Sequence, residues 1–190
     1  MSVGLIELRG VTKRCGSGEA ELLALKGIDL DLAAGEFVAV MGPSGSGKPT
    51  AMNIPGCLDT RSAGQHLFKD ADVEALSRER CARLLRRFLD FVFQGFNLLA
   101  RTSALESGEL PLLCRGDAAG TRKIAAMKAL HSVGLGGSED HAPAELSAVQ
   151  QQRGVIARAI VSERAVVLAE EPTATSMPSA ATRSWACCRR

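Results

Sequence analysis

Hydrophobic and polar residues alternate along the first part of the chain in a way that predicts β-strands. Residues 5–11 and residues 22–32 show this alternation, and the glycines of residues 16–18 predict a turn between them. Residues 36–41, Glu-Phe-Val-Ala-Val-Met, form a short apolar run that ends at Gly42. Such a run, bounded by glycine, predicts a buried strand.

The rest of the chain alternates between helical and strand-like patterns. Short apolar runs at residues 89–93 and 165–169 predict two further buried strands. Because apolar strands alternate with helices, the pattern predicts an α/β fold with a largely parallel central sheet. The helices are expected at about residues 75–87, 103–114, 121–133 and 150–161.

Composition places the chain among globular proteins. Its 190 residues are 46% hydrophobic and 23% charged, which is enough for one domain with a buried core and excludes a disordered protein. The formal net charge of +2 gives no general attraction to nucleic acid or to an anionic membrane. No run of 18 apolar residues is present, so no transmembrane segment is expected.

Cysteines and arginines are the remaining chemical groups that stand out. The six cysteines form no CxxC pair, which argues against zinc and a secreted disulfide framework and favours reduced thiols. Arg80, Arg83 and Arg87 share one face of the predicted helix at residues 75–87. Aromatic residues are not interleaved with them, so a solvated helix face is favoured over contact with nucleic acid.

A glycine-rich segment after the third predicted strand has the composition of a phosphate-binding loop. Its glycines allow backbone N–H groups to turn towards phosphate oxygens, and the lysine and the following helix add positive charge. The alternative is a glycine-rich turn with an unrelated lysine. The residues that would bind phosphate are Gly42, Pro43, Ser44, Gly45, Ser46, Gly47 and Lys48.

The loop departs from the usual pattern at its end. A serine or threonine normally follows the lysine and supplies a hydroxyl to Mg²⁺, whereas this chain has Pro49. Proline is tolerated in the first helical turn, but it has neither a hydroxyl nor an N–H group. Thr50, one position later, is expected to replace part of the lost interaction. Pro55 falls where the helix is expected to continue, at a cost of about 3 kcal/mol.

Four later segments, in order, carry a family resemblance. They are residues 91–99, 109–113, 146–153 and 166–173. With the phosphate loop, they resemble the ATP-binding subunit of ABC transporters, most closely the branch that serves macrolide export and lipoprotein release. The first is similar to the Q-loop and the second to part of the helical subdomain. The third is similar to the signature motif and the fourth to the Walker B strand with its catalytic glutamate.

The resemblance implies an α/β P-loop NTPase fold, with a RecA-like core, an antiparallel β edge and an inserted helical subdomain at about residues 95–150. The ATP-binding domain would cover residues 1–177, and residues 178–190 would form an irregular tail. Two copies, identical or different, would associate head to tail and drive a separate membrane permease. The protein would then be cytoplasmic, attached peripherally to the inner face of the cell membrane through that permease, with no nucleic-acid partner.

The resemblance also implies the site chemistry. ATP and Mg²⁺ would be the cofactors, with Lys48 holding the phosphates. Gln94 would contact the metal and the attacking water, and Glu170 stands where a metal-orienting aspartate is usual. Glu171 would polarise the water for in-line attack.

The signature-like segment supports two interpretations. Ser147 and Gln150 match residues that would contact the nucleotide held by the other copy. Two glycines are usual between them, but this chain has Ala148 and Val149, which bring side-chain bulk to that approach. Alternatively, Ser147 and Gln150 simply form a capping box that begins a helix.

Further departures leave the function open between two alternatives. Cys15 stands where an aromatic residue usually stacks on adenine, and residues 175–177 replace the usual interface loop. All three histidines precede the Walker B segment, so none matches the switch histidine expected beyond it. One alternative is a working ATPase that energises export. The other is a catalytically impaired subunit, or a decayed copy, that binds nucleotide weakly and acts as a structural partner.

Overall fold

The computed structural model describes residues 4–16, 21–93 and 95–170. The chain divides into two compact units, Met1–Arg87 and Phe88–Arg190, and each is described by itself. Part of the predicted turn at residues 16–18, the candidate residues Gln94 and Glu171, and the predicted tail at residues 178–190 lie outside the described residues.

An antiparallel sheet of four strands forms the first unit, in the order β2-β1-β3-β4. The two long strands confirm the predicted pair, because β1 and β2 are antiparallel from Ile6 opposite Leu32 to Cys15 opposite Leu22. The elements, in chain order, are β1 (Ile6–Cys15), β2 (Leu22–Leu32), α1 (Lys48–Asn53), β3 (Ala63–Phe68), β4 (Ala71–Asp72), a 3-10 turn (Val73–Ala75) and α2 (Arg78–Phe88).

The core of the first unit fixes the helix that follows the phosphate loop. Leu8 and Val11 of β1, Leu25 of β2 and Ile54, just after α1, form one buried cluster. Burial of Ile54 therefore anchors the end of α1 on the sheet, since apolar contact with the two strands is lost if the helix moves away.

The predicted buried strand at residues 36–41 is wrong. These residues have no strand conformation, and Phe37 and Met41 are 62% and 89% exposed. They lie outside the four-stranded sheet. An apolar run becomes a strand only where its backbone joins a hydrogen-bonded ladder, and apolar composition alone does not specify one.

Helices packed beside a parallel strand pair form the second unit. Strands β5 and β6 are parallel, with Leu89 opposite Val166, and the helices surround a core that includes Leu112, Leu130 and Val155. The predicted parallel pairing is therefore confirmed for these two strands, whereas the other described sheet is antiparallel. The elements are β5 (Leu89–Val92), α3 (Ala104–Arg115), α4 (Ala119–Ser132), a 3-10 turn (Pro143–Glu145), α5 (Ala148–Ile160) and β6 (Val166–Ala169).

Helix α2 carries five arginines on the surface of the protein. The arginines of α2 at positions 78, 80, 83, 86 and 87 all lie at exposed positions, on a helix that buries no residue completely.

Within residues 4–16, 21–93 and 95–170, no helix combines the length and the apolar character needed to cross a membrane.

A buried histidine in β3 is expected to make the protein labile in mild acid. His66 is 3% exposed, and its Nε2 atom has no hydrogen-bond partner in the part of the chain that the structure describes. Burial, reinforced by the nearby Arg61, lowers the pKa of His66 to about 4. The unfolded chain therefore takes up a proton below about pH 6.5 that the folded chain takes up only near pH 4, so stability falls through this window.

Urea unfolding at pH 7.5 and at pH 4.5 measures this effect. Replacing His66 by leucine is expected to remove about 2–3 kcal/mol of the loss in unfolding free energy between these pH values. His141→Gln, at an exposed histidine, is the matched control. An acid sensitivity that is equal in the native chain and His66→Leu would contradict the assignment.

Candidate functional site

The phosphate loop lies between β2 and α1 in the first unit. Ser44 and Gly45 form a turn, and Gly45 and Gly47 have positive φ angles of 78° and 86°. Residues 42–46 are exposed. The loop therefore lies at the surface, with two residues in a conformation that residues other than glycine seldom adopt, and the amide of Ser46 donates to the carbonyl oxygen of Pro43 at 3.3 Å.

Two contacts show how tightly the loop is packed. A Cβ atom on Gly47 would lie 2.6 Å from the carbonyl oxygen of Ala24 in β2, which leaves no space for a side chain. A Cβ atom on Gly42 would lie 2.7 Å from Oγ of Ser46. Gly47 is therefore required by a backbone contact and by its positive φ angle, whereas the contact at Gly42 is with a serine hydroxyl that can rotate away.

Lys48 supplies the positive charge of the loop. Its Nζ donates hydrogen bonds to the carbonyl oxygens of Gly42 and Pro43, at 2.8 and 2.9 Å. No carboxylate among the described residues forms an ion pair with Lys48. The ammonium group is therefore held over the loop, where an anion would meet it.

Helix α1 begins as predicted and ends earlier. It starts at Lys48 with Pro49 in its first turn, which confirms that proline is tolerated there. It ends at Asn53, two residues before Pro55, so the expected interior proline lies beyond the helix. Ile54, before the proline, still has helical angles of −68° and −55°, so the physical reason is that Pro55 has no N–H group to continue the ladder of helical hydrogen bonds.

An ion pair between Lys13 and Asp59, which the sequence did not predict, joins β1 to the turn that follows α1. Nζ of Lys13, near the end of β1, lies 2.5 Å from Oδ1 of Asp59 and 2.7 Å from the carbonyl oxygen of Thr60. The hydrogen bond from Lys13 lowers the pKa of Asp59. The contact joins β1 to the turn after α1, and Cys15, at the position expected for adenine stacking, is exposed two residues further along β1.

The signature-like segment begins helix α5 in the second unit. Oγ of Ser147 accepts a hydrogen bond from the Gln150 amide at 3.3 Å, and Oε1 of Gln150 accepts one from the Ser147 amide at 2.9 Å. The capping box is therefore confirmed. Oγ of Ser147 can still donate its proton, and the amides of Ala148 and Val149 lie in the first turn, where no intrahelical acceptor exists.

The Walker B-like segment ends the parallel strand pair. Strand β6 stops at Ala169, and the amide of Glu170 donates to the carbonyl oxygen of Val92 at 2.8 Å, which extends the ladder by one residue. Glu170 is half-buried at the carboxyl end of β6. Gln94 and Glu171, the two residues assigned catalytic roles, are among those the structure does not describe.

The phosphate loop fits a polyphosphate better than it fits a metal ion. Exposed glycine-rich backbone and the ammonium of Lys48 suit phosphate oxygens. Pro49 provides no oxygen for Mg²⁺, which prefers oxygen ligands in octahedral geometry. Thr50, half-buried in the same turn of α1, carries the nearest hydroxyl in the sequence.

Comparison with known sequences gives consistent matches. The family model described as ABC transporter matches residues 25–174. The macrolide export ATP-binding/permease protein MacB of Marinobacter nauticus is 50% identical over 169 residues, 89% of this chain and 26% of that protein. The pyoverdine export ATP-binding/permease protein PvdT of Pseudomonas savastanoi pv. phaseolicola is 44% identical over 174 residues, 91% of this chain and 26% of that protein. The chain thus spans about a quarter of the length of these curated relatives.

Solved structures give the same match at the level of the fold. The dimeric structure of MJ0796, a bacterial ABC transporter cassette, has a TM-score of 0.89 and 36% identity, over 96% of this chain and 81% of that one. A post-hydrolysis dimer of the same cassette, bound to ADP and Pi, has a TM-score of 0.89 and 35% identity. The α/β fold expected of a P-loop NTPase is therefore confirmed.

Proposed function

Since this chain belongs to the ABC transporter family, we propose that it is an ATP-binding subunit that couples binding and hydrolysis of MgATP to export by a membrane permease. The observation that carries the proposal is the phosphate loop, with Gly45 and Gly47 at positive φ and the ammonium of Lys48 held above it. The family match supplies the reaction class, and the loop supplies a place where it can occur.

The chain's own residues account for binding of the phosphates. The amides of residues 44–48 would donate to the outer phosphate oxygens, and Lys48 would exchange its hydrogen bonds to loop carbonyls for bonds to those oxygens. Bonds to a charged acceptor are stronger than bonds to a neutral carbonyl, so the exchange is favourable. Cys15 lies where the base would stack, and its thiol provides less contact area than an aromatic ring.

Hydrolysis requires an oriented water molecule and a neutralised phosphate. Glu171 would accept the hydrogen bond that orients the water, and Gln94 would contact the same water. Thr50, Glu170 and Gln94 are the residues that would hold Mg²⁺, which neutralises charge on the outer phosphates when bound.

A second ATP-binding subunit and a permease are the proposed partners. The first turn of α5 supports the former, because the amides of Ala148 and Val149 and the hydroxyl of Ser147 are donors suited to a γ-phosphate. They would close over the nucleotide of the partner subunit, in an identical or different chain. Attachment to the permease would place the protein at the inner face of the cell membrane. Residues 1–177 would act as the ATP-binding domain, with helices of residues 95–150 as its helical subdomain.

Restoring the missing hydroxyl tests the proposal at its weakest point. Pro49→Ser is expected to raise the affinity for MgATP about tenfold, since a hydrogen bond or ligand to a charged group contributes on the order of 1.5–3 kcal/mol. Calorimetric titration with and without Mg²⁺ measures the change. Pro49→Ala is the matched control, because it also restores the N–H group and lacks the hydroxyl. If neither the native chain nor Pro49→Ser binds MgATP, the proposed function is wrong.

A further inference from the structure

A buried ionic cluster lies where helix α5 meets strand β5 in the second unit. The carboxylate of Asp90 on β5 accepts hydrogen bonds from Oγ of Ser162 and from Nε of Arg164, the latter at 2.9 Å. The side chains of Arg164 and Asp90 are only 7% and 15% exposed. Nε of Arg164 also lies 3.1 Å from Oγ of Ser162, so the three groups form a closed triangle.

Arg158 extends this cluster from the last turn of α5. It interacts electrostatically with Asp90, and burial lowers the pKa of its guanidinium. Its NH1 group donates to the carbonyl oxygen of Asn97 at 2.9 Å. Burial also raises the pKa of the Asp90 carboxyl, while its bonds to Ser162 and Arg164 act in the opposite direction.

Asn97 lies in a segment whose backbone is unusually placed. Its φ angle is 48°, in the left-handed region, and its side chain is exposed. The neighbours Phe96 and Leu98 pack against the core of the second unit. The left-handed conformation at Asn97 is therefore held from both sides by packing, and from its carbonyl by Arg158.

The cluster thus holds the chain on both sides of Gln94. Asp90 lies four residues before it and Asn97 three residues after it, and both are bonded to groups from α5 or from the loop that follows α5. Helix α5 begins at the signature-like segment, with Ser147 as its cap. One end of this helix therefore carries the signature residues and the other end braces the flanks of the Q-loop glutamine.

We propose that Arg158 and Asp90 are positioning residues, which fix the segments on either side of Gln94 against the signature helix. This inference rests on the role assigned to Gln94 under the proposed function. Arg158 acts on the segment after Gln94 through the Asn97 carbonyl. Asp90 acts on the strand before Gln94 and offsets part of the cost of the half-buried charge of Arg158.

Hydrogen exchange on the full chain tests the inference without relying on hydrolysis. Arg158→Met removes the charge and the hydrogen bond while it preserves much of the side-chain volume. We expect amide exchange in residues 95–99 to become at least about tenfold faster, with α4 unchanged, and Arg158→Lys to recover part of the protection. Arg153→Met, on the same helix and without a bond to Asn97, is the matched control.

Two results would overturn the inference. One is unchanged exchange in residues 95–99 of Arg158→Met, and the other is an equal rise in the control or across the whole second unit. A kinetic readout separates positioning from general stability: Arg158→Met is expected to lower kcat at least about tenfold and to change MgATP affinity less than twofold. An inactive native chain would count against the proposed function, while the exchange result would still decide the positioning role.

Discussion

Glu171→Gln is expected to abolish ATP hydrolysis while MgATP binding is retained. The amide keeps the size of the side chain, but it cannot accept a proton or polarise the attacking water as a carboxylate does. Loss of a general base reduces rates by about 10²–10⁴-fold, so phosphate release is expected to fall at least about 100-fold. Binding relies on the phosphate loop, in which Glu171 takes no part under the proposed mechanism.

Phosphate release and calorimetric binding, measured on the same preparation, decide this prediction. Glu163→Gln, at an exposed glutamate in the loop before β6, is the control for loss of a carboxylate near the strand. If Glu171→Gln releases phosphate as fast as the native chain does, the assignment of enzymatic activity to this chain is wrong. The impaired-subunit alternative would then account better for nucleotide binding alone.

Gly47→Ala is expected to weaken MgATP binding by about 100-fold. The substitution forces a non-glycine residue into the left-handed region, at a cost of about 1–2 kcal/mol. Its Cβ atom would also lie 2.6 Å from the carbonyl oxygen of Ala24, a backbone atom fixed in β2. The loop must therefore shift, and the total cost to its binding conformation is expected to reach about 3 kcal/mol.

Gly45→Ala separates strain from steric contact. Gly45 has a similar φ angle of 78°, but a Cβ atom there meets nothing within 4 Å. This variant is expected to lose about tenfold in affinity, which reflects conformational strain alone. Equal losses in the two variants, measured by calorimetric titration with MgATP, would show that the contact with Ala24 does not shape the loop.

Short-range features of the chain were predictable from the sequence. The phosphate loop is a run of consecutive residues, and the capping box joins Ser147 to Gln150 only three positions away. Strands β5 and β6 and helices α3 to α5 follow from local apolar patterns and were found within about three residues of the predicted bounds. For the loop, the capping box and the helices the decisive interactions lie within a few residues along the chain, whereas β5 and β6 also depend on pairing with each other.

Long-range features were not predictable in this way. Lys13 and Asp59 are 46 residues apart, and Ser162 and Asp90 are 72 residues apart, so no local spacing indicates either contact. Strand β3 was missed because Ala-Gly-Gln-His opens it, with little apolar alternation. Residues 36–41 show the opposite error, since their apolar pattern is strand-like but the structure gives them no strand. In each of these cases, contacts between residues far apart in the sequence, and not local composition, determine the structure.

The proposed function requires the phosphate loop of this chain to be a working nucleotide site. A thermal melt of the purified chain, with and without MgATP and beside Lys48→Ala, tests it most directly. We expect one cooperative transition that MgATP shifts upward, by an amount equivalent to about 2.7 kcal/mol at a 100-fold excess over Kd, and no shift in Lys48→Ala. A transition that ignores MgATP, or a shift that survives in Lys48→Ala, would contradict it.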